Sequence, residues 1–277
     1  MQFRFSLKVT LVCGLLIVAM LLASRWQWSR HLEKQVLIQT LEKTLHSPIV
    51  PLATLITPNR DWNAEEWRRV SLEGTLDFQH EFIVRRNRGK EDRAGFHVLT
   101  PLKIAGTDAH ILLDRGFIPL GREAKEIRKQ YHRNSDFSGF GLIKLSNQPK
   151  LFSPADPEAE SGKPWADLWI RVNIPAVQKQ IPYPILPVYV EHMENPEDPL
   201  LAEQIVKQGS AGRNDILAMT GQASTQNFGM DSPDAQYPIP HFDTTPPPDI
   251  HLGYVFEWIF MALITLGIGC LMQIRRH

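Results

Sequence analysis

Leu252 to Ile274 reads LGYVFEWIFMALITLGIGCLMQI, an apolar run broken by one charge, Glu257. As a helix it is long enough to cross a hydrocarbon core with some tilt. A second run, Val9 to Ser24 (VTLVCGLLIVAMLLAS), carries no charge. It is slightly short for a core of about 30 Å, but Leu7 and a snorkelling Lys8 extend it. Trp26 and Trp28 follow, where an interfacial aromatic belt belongs. Leu22-Ala23-Ser24-Arg25-Trp26 is a poor cleavage site, so the first run reads as an uncleaved anchor rather than a signal peptide.

Every charged residue except Glu257 lies outside these runs. The averages conceal this: 22% charged residues and a mean hydropathy of −0.21 describe an ordinary soluble chain. With 30 basic and 30 acidic residues, the zero net charge excludes nucleic-acid binding by bulk positive charge. Two cysteines exclude a disulfide framework, a cysteine zinc cluster and an iron–sulfur site. Both, Cys13 and Cys270, lie in the spans, so the middle of the chain has no thiol for redox or copper chemistry.

Basic residues set the expected orientation. Arg275 and Arg276 follow the second span, whereas no Lys or Arg occurs from Asn214 to Ile274. The expected layout is a cytoplasmic N-terminus (1–8), a first span (9–24), an extracytoplasmic domain (25–250), a second span (251–274) and a cytoplasmic C-terminus (275–277). The lack of an Arg-rich, acid-poor leader favours a bacterial inner membrane over a mitochondrial one.

Within the domain, Ser29 to His46 reads as a helix that continues the first span with a break or bend near Trp26–Ser29. Ser47-Pro48 ends it. Asp61 is placed to cap a short helix reaching Trp67. Val70, Leu72, Gly74 and Leu76 alternate with polar residues, as in a half-buried strand. Glu81–Arg86, Gly95–Lys103, Ala109–Pro119 and Phe140–Leu145 read as further strands, the second and third of these as a hairpin. Gly121–His132 reads as a charged surface helix. Residues 149–199 hold ten of the 21 prolines, which leaves room only for short strands such as Leu168–Ile174 and Leu186–Glu191. Asp198–Gln208 reads as a short helix and residues 209–249 as a long polar loop. The expected fold is an antiparallel β-rich domain, barrel- or sandwich-like, carried between two transmembrane helices.

No hydrolase, metalloprotease, P-loop or complete dinucleotide motif occurs. The chemistry-bearing candidate is His251, at the mouth of the second span. A neutral imidazole there suits an axial haem ligand, with Tyr254 and Trp258 on the same helical face offering aromatic surface. The competing reading is an interfacial histidine beside belt aromatics. Glu257 lies on another face, either turned to a partner or protonated. Arg85-Arg86-Asn87-Arg88 is either a solvated turn or a contact for an acidic partner.

Several segments, taken in order, resemble the surfeit locus protein family. They are Trp26-Gln27 with Arg30 and Lys34, Arg69-Val70 with Gly74, Gly95 to Leu102 (GFHVLTPL, including His97 and Pro101), Leu113 to Pro119 (LDRGFIP, including Arg115, Gly116 and Pro119), and His251-Leu252-Gly253-Tyr254 with Trp258. The resemblance covers both ends and most of residues 24–120. The family commonly has Asn where Asp114 stands, Trp where Phe117 stands and a neutral residue where Glu257 stands. The resemblance implies a non-enzymatic assembly factor for an aa3-type haem–copper cytochrome c oxidase. It implies handling of haem a, with His251 as its iron ligand, and partners in oxidase subunit I and the haem a synthesis machinery. The alternative is a haem-independent scaffold for oxidase subunits. A third class, an outer-face hydrolase or transferase using carboxylates, lacks a recognisable nucleophile–base set.

Overall fold

The computed structural model describes residues 2–3, 5–45, 47–88, 93–149, 153–159, 162–196, 237–240 and 248–275. It divides into two compact units, one holding both long helices and the other the β-rich domain.

The first helix, α1, runs without interruption from Leu7 to Leu45. No break interrupts the helix near Trp26–Ser29. No Gly or Pro occurs between Gly14 and Pro48, so nothing in the chain breaks the hydrogen-bond ladder. Ser29 Oγ donates back to the Trp26 carbonyl at 2.8 Å, within the turn. The second long helix, α2, spans Pro248–Met272. Both are long and apolar enough to cross a membrane. Only 6% and 17% of their most apolar windows are buried, unlike the core helix of a soluble protein. The chain is therefore read as a membrane protein with two spans.

The two helices pack antiparallel through stripes that recur every three or four residues. On α1 the covered positions are Cys13, Ile17, Met20, Ser24, Gln27 and His31; on α2 they are His251, Val255, Trp258, Ala262, Thr265 and Gly269. Small and polar residues let lipid-embedded backbones approach and hydrogen-bond. Ser24 Oγ donates to the Val255 carbonyl at 3.3 Å, and Ser6 N donates to Gln273 Oε1 at 3.1 Å. A Cβ added at Gly269 would lie 3.0 Å from Cys13 Sγ. Beyond the helices, Gln2–Phe3 pairs antiparallel with Ile274–Arg275.

Among the described residues, the β-rich unit is one sheet of eight strands: β1 (Val50–Pro51), β2 (Arg69–Leu76), β3 (Phe82–Arg88), β4 (Arg93–Ile104), β5 (His110–Pro119), β6 (Asp136–Leu145), β7 (Leu168–Trp169) and β8 (Ile185–Met193). Their order is β1-β2-β6-β8-β5-β4-β3-β7, and a further β2–β4 pairing closes five of them into a barrel. Counted along the chain, the barrel strands run 1-2-3-5-4 and back to 1, with β5 and β8 parallel. This is the connectivity of the OB-type Greek-key barrel. Closure depends on Gly74, which faces Phe137 on one side and Ile104 on the other. A Cβ there would lie 2.0 Å from the Lys103 carbonyl oxygen.

Inward residues Val70, Leu72, Leu102, Ile104, Ile111, Leu113, Ile143, Val188 and Val190 fill the barrel, with Leu52 and Leu55 packed on them. The alternation of β3 serves two other cores. Phe82 and Val84 face Trp169, Val172 and Val177. Ile83 faces Phe96, Ile118, Tyr131 and Tyr237.

Several expectations change. Gly121–His132 is not a surface helix: only Lys125–Arg128 is α-helical, followed by a 3₁₀ turn at Lys129–Tyr131. Arg128 and Tyr131 are buried, because the guanidinium pairs inward with carboxylates. The helix capped by Asp61 is a 3₁₀ turn over Trp62–Glu65, with Asp61 accepting from Asn63 N at 3.1 Å. The strand from Leu168 stops at Trp169, and Ile174–Val177 forms a helical turn with Pro175 early in it. The expected helix Asp198–Gln208 lies outside the described residues, as does most of the loop 209–249. Within that loop, Ile239 bridges Phe117, with N–H···O bonds of 2.7 and 3.0 Å.

Candidate functional site

α1 turns Gln27 toward α2, and α2 turns His251 toward α1. His251 Nδ1 lies 2.9 Å from Gln27 Oε1. With the amide oxygen facing the ring, as assigned, it accepts from Nδ1–H and leaves the lone pair on Nε2. That is the tautomer of a metal-ligating imidazole, oriented by a hydrogen bond from its other nitrogen.

Around the pair stand aromatic and cationic groups. Trp26 and Trp28 are exposed, and His31 packs on Trp28 with ring centroids 5.5 Å apart. The Arg30 guanidinium lies 5.8 Å from the Trp26 ring and pairs with Glu33 at 2.8 Å. Lys34 and Arg30 place positive charge near the His251 ring. Val255 is buried beneath His251 and Trp258 is half-buried on the same stripe, whereas Tyr254 is 45% exposed on its flank. The residues therefore offer two imidazoles, His251 and His31, flanking rings and two cations. Among the described residues, no group of three or more His, Cys, Asp or Glu side chains forms a metal cage.

The matched strand residues occupy a different setting, inside the β unit. His97 Nδ1 donates to Asp114 at 2.7 Å, both side chains buried, while the other Asp114 oxygen accepts from Gly116 N at 2.9 Å. The pair bridges β4 and β5 where their register shifts between His97 and Leu99. Gly116 has φ 120°, and a Cβ on it would lie 2.3 Å from the Ile239 carbonyl oxygen. Gly95 pairs with Pro119 and leaves room for the Phe117 ring. The Pro101 carbonyl accepts from Asp77 N at 2.8 Å.

Arg115 reaches a hub that sequence reasoning missed. The buried carboxylate of Glu81 accepts from Arg115 Nη1 at 3.0 Å, Arg128 Nε at 2.9 Å, His132 Nε2 at 3.2 Å and Thr100 Oγ1 at 3.3 Å. Arg128 also forks onto Asp167 at 2.7 and 3.0 Å. Burial alone would raise the Glu81 pKa; the hydrogen bonds from His132 and Arg128 and the charges of Arg115 and His132 outweigh it and hold it below its ordinary value. Burial dominates at Arg115 and lowers its pKa despite Glu81. The only local signal was a charged residue at the start of a strand. Nothing in the spacing of residues 81, 115, 128 and 132 marks them as neighbours.

These features define a class: a two-span membrane protein with a closed β-barrel domain between its spans and a histidine–glutamine pair joining the helices. A model of the SURF1 family matches residues 14–263, and the chain belongs to that family. It is similar to the SURF1-like protein of Monosiga brevicollis, 28% identical over 157 residues, covering 53% of this chain and 59% of the relative. It is also similar to Surfeit locus protein 1 of Rattus norvegicus, 26% identical over 168 residues, covering 56% and 52%. A third relative is Surfeit locus protein 1 of Takifugu rubripes, 26% identical over 143 residues, covering 47% and 58%. The chain spans about half the length of the curated relatives it matches.

Proposed function

We propose that the protein is a non-enzymatic assembly factor for an aa3-type haem–copper cytochrome c oxidase, which holds haem a at His251 and passes it to oxidase subunit I. The observation that carries this reading is the Gln27–His251 hydrogen bond, which presets the imidazole as an Nε2 ligand. Tyr254, Trp258 and the tryptophans of α1 supply aromatic surface for the macrocycle. Arg30 and Lys34 supply charge for its propionates. When bound, haem supplies only its iron and its ring; the protein supplies ligation and orientation.

In this reading the chain sits in a bacterial inner membrane with both termini cytoplasmic, as the basic pair Arg275-Arg276 favours. The barrel domain is then periplasmic, and haem a arrives from the synthesis machinery in the same bilayer. The test is purification from cells that make haem a, with absorption spectra of wild type and His251→Ala. Stoichiometric haem a in the wild type and its loss in the variant is expected. Equal haem content in both overturns the ligand assignment.

A second reading, a haem-independent scaffold for oxidase subunits, draws on the matched strand residues. His97 is engaged in a buried pair with Asp114 and Arg115 in a half-buried pair with Glu81, both inside the β unit. Co-purification of subunit I from a strain lacking haem a would favour it over the first.

A further inference from the structure

Glu257 is exposed on α2. It lies six residues inward from His251, about 9 Å along the axis. It is also roughly 120° around the helix from the centre of the stripe that meets α1. Its neighbours on that flank are Tyr254, Phe260, Met261 and Ile264, all exposed. Among the described residues no hydrogen bond or ion pair reaches its carboxylate. The first apolar run holds no Lys or Arg to neutralise it. A carboxylate facing hydrocarbon is strongly disfavoured. Its short stem cannot snorkel over about 9 Å as a lysine does.

We infer that the Glu257 flank of α2 is a docking surface for a transmembrane helix of another membrane protein, one that carries a Lys or Arg at the matching depth. Charge complementarity selects that occupant. A second copy packed through an isologous contact would set Glu257 against Glu257. A basic partner neutralises the carboxylate, while Phe260 and Ile264 supply apolar contact around it. The inference needs only the span and stands apart from haem binding.

The experiment places a photo-crosslinking residue at Ile264 in the full chain, in native membranes, with Leu263 on the opposite flank as control. The Ile264 probe should capture a membrane protein with a basic residue inside a span, and the Leu263 probe should not. Glu257→Leu should cut that adduct at least fivefold at equal membrane content. Glu257→Lys should abolish it, and reversing the partner's basic residue to Glu should restore it. An adduct between two copies of this chain, labelling of lipid alone, or an adduct indifferent to Glu257→Leu and Glu257→Lys overturns the inference.

Discussion

Gln27 and His251 are separated by 224 positions in the chain, yet Oε1 and Nδ1 meet at 2.9 Å across the helix pair. The contact ties the tautomer of the histidine to the helix that carries the Trp26-Gln27 motif. Gln27→Leu removes the acceptor and keeps the apolar packing. We expect haem a occupancy to fall about 10–100-fold in affinity, as loss of a partner behind a ligating histidine does elsewhere. Gln27→Glu should retain haem with a shifted spectrum, because a carboxylate makes the imidazole a stronger donor. Haem titration monitored by absorption distinguishes the three proteins.

Glu81 holds Arg115, Arg128 and His132 together inside the β unit. Glu81→Ala removes a carboxylate partner from the buried Arg128 and the half-buried Arg115, which keep only Asp167 and the Tyr131 carbonyl respectively. The expected loss is about 3–5 kcal/mol of stability, the cost of breaking a buried charge pair from one side. Thermal unfolding of the detergent-purified protein measures it. Haem content of the remaining folded fraction should be unchanged.

The same carboxylate predicts an acid limb. Its pKa is lowered in the folded protein relative to an ordinary value of 4.5. The stabilisation is therefore complete above about pH 4.5 and is lost as pH falls through the folded pKa. Asp77 acts in the same direction: burial opposes the shift, but hydrogen bonds from Tyr183 and His80 outweigh it. Tm measured between pH 3 and 7 should fall on the acid side in wild type. Glu81→Gln should lower Tm at neutral pH and flatten that fall. An unchanged acid slope in Glu81→Gln would remove Glu81 from this role.

Gly116 has a φ that side chains resist and a backbone neighbour, Ile239, within collision range of any Cβ. Gly116→Ala should destabilise by about 1–3 kcal/mol. Hydrogen exchange should show the reason. The amides of Phe117 and Ile239, bonded to each other's carbonyls, should lose protection before the barrel strands do.

Much of the architecture was legible because it rests on local patterns. Two apolar runs declare two spans. The alternation over 70–76 and the runs at 95–103 and 109–119 declare strands, since side-chain direction in a strand has a period of two. The surface helix expected at Gly121–His132 failed for a non-local reason. Arg128 reads as a solvated charge until Glu81 and Asp167, 47 and 39 residues away in sequence, are seen to receive it.

The candidate site divides the same way. His251 was visible as a histidine at a span mouth, but nothing local paired it with Gln27 or set its tautomer. By itself, then, the sequence determined the spans, most strands, the lone Glu257 and the family, because composition and periodicity are properties of neighbouring residues. Only the tertiary structure decided the β2–β4 closure at Gly74, the Glu81 hub, the Ile239 bridge and the Gln27–His251 pair. Each is a contact between segments far apart along the chain, and it exists only once packing has brought them within hydrogen-bonding distance.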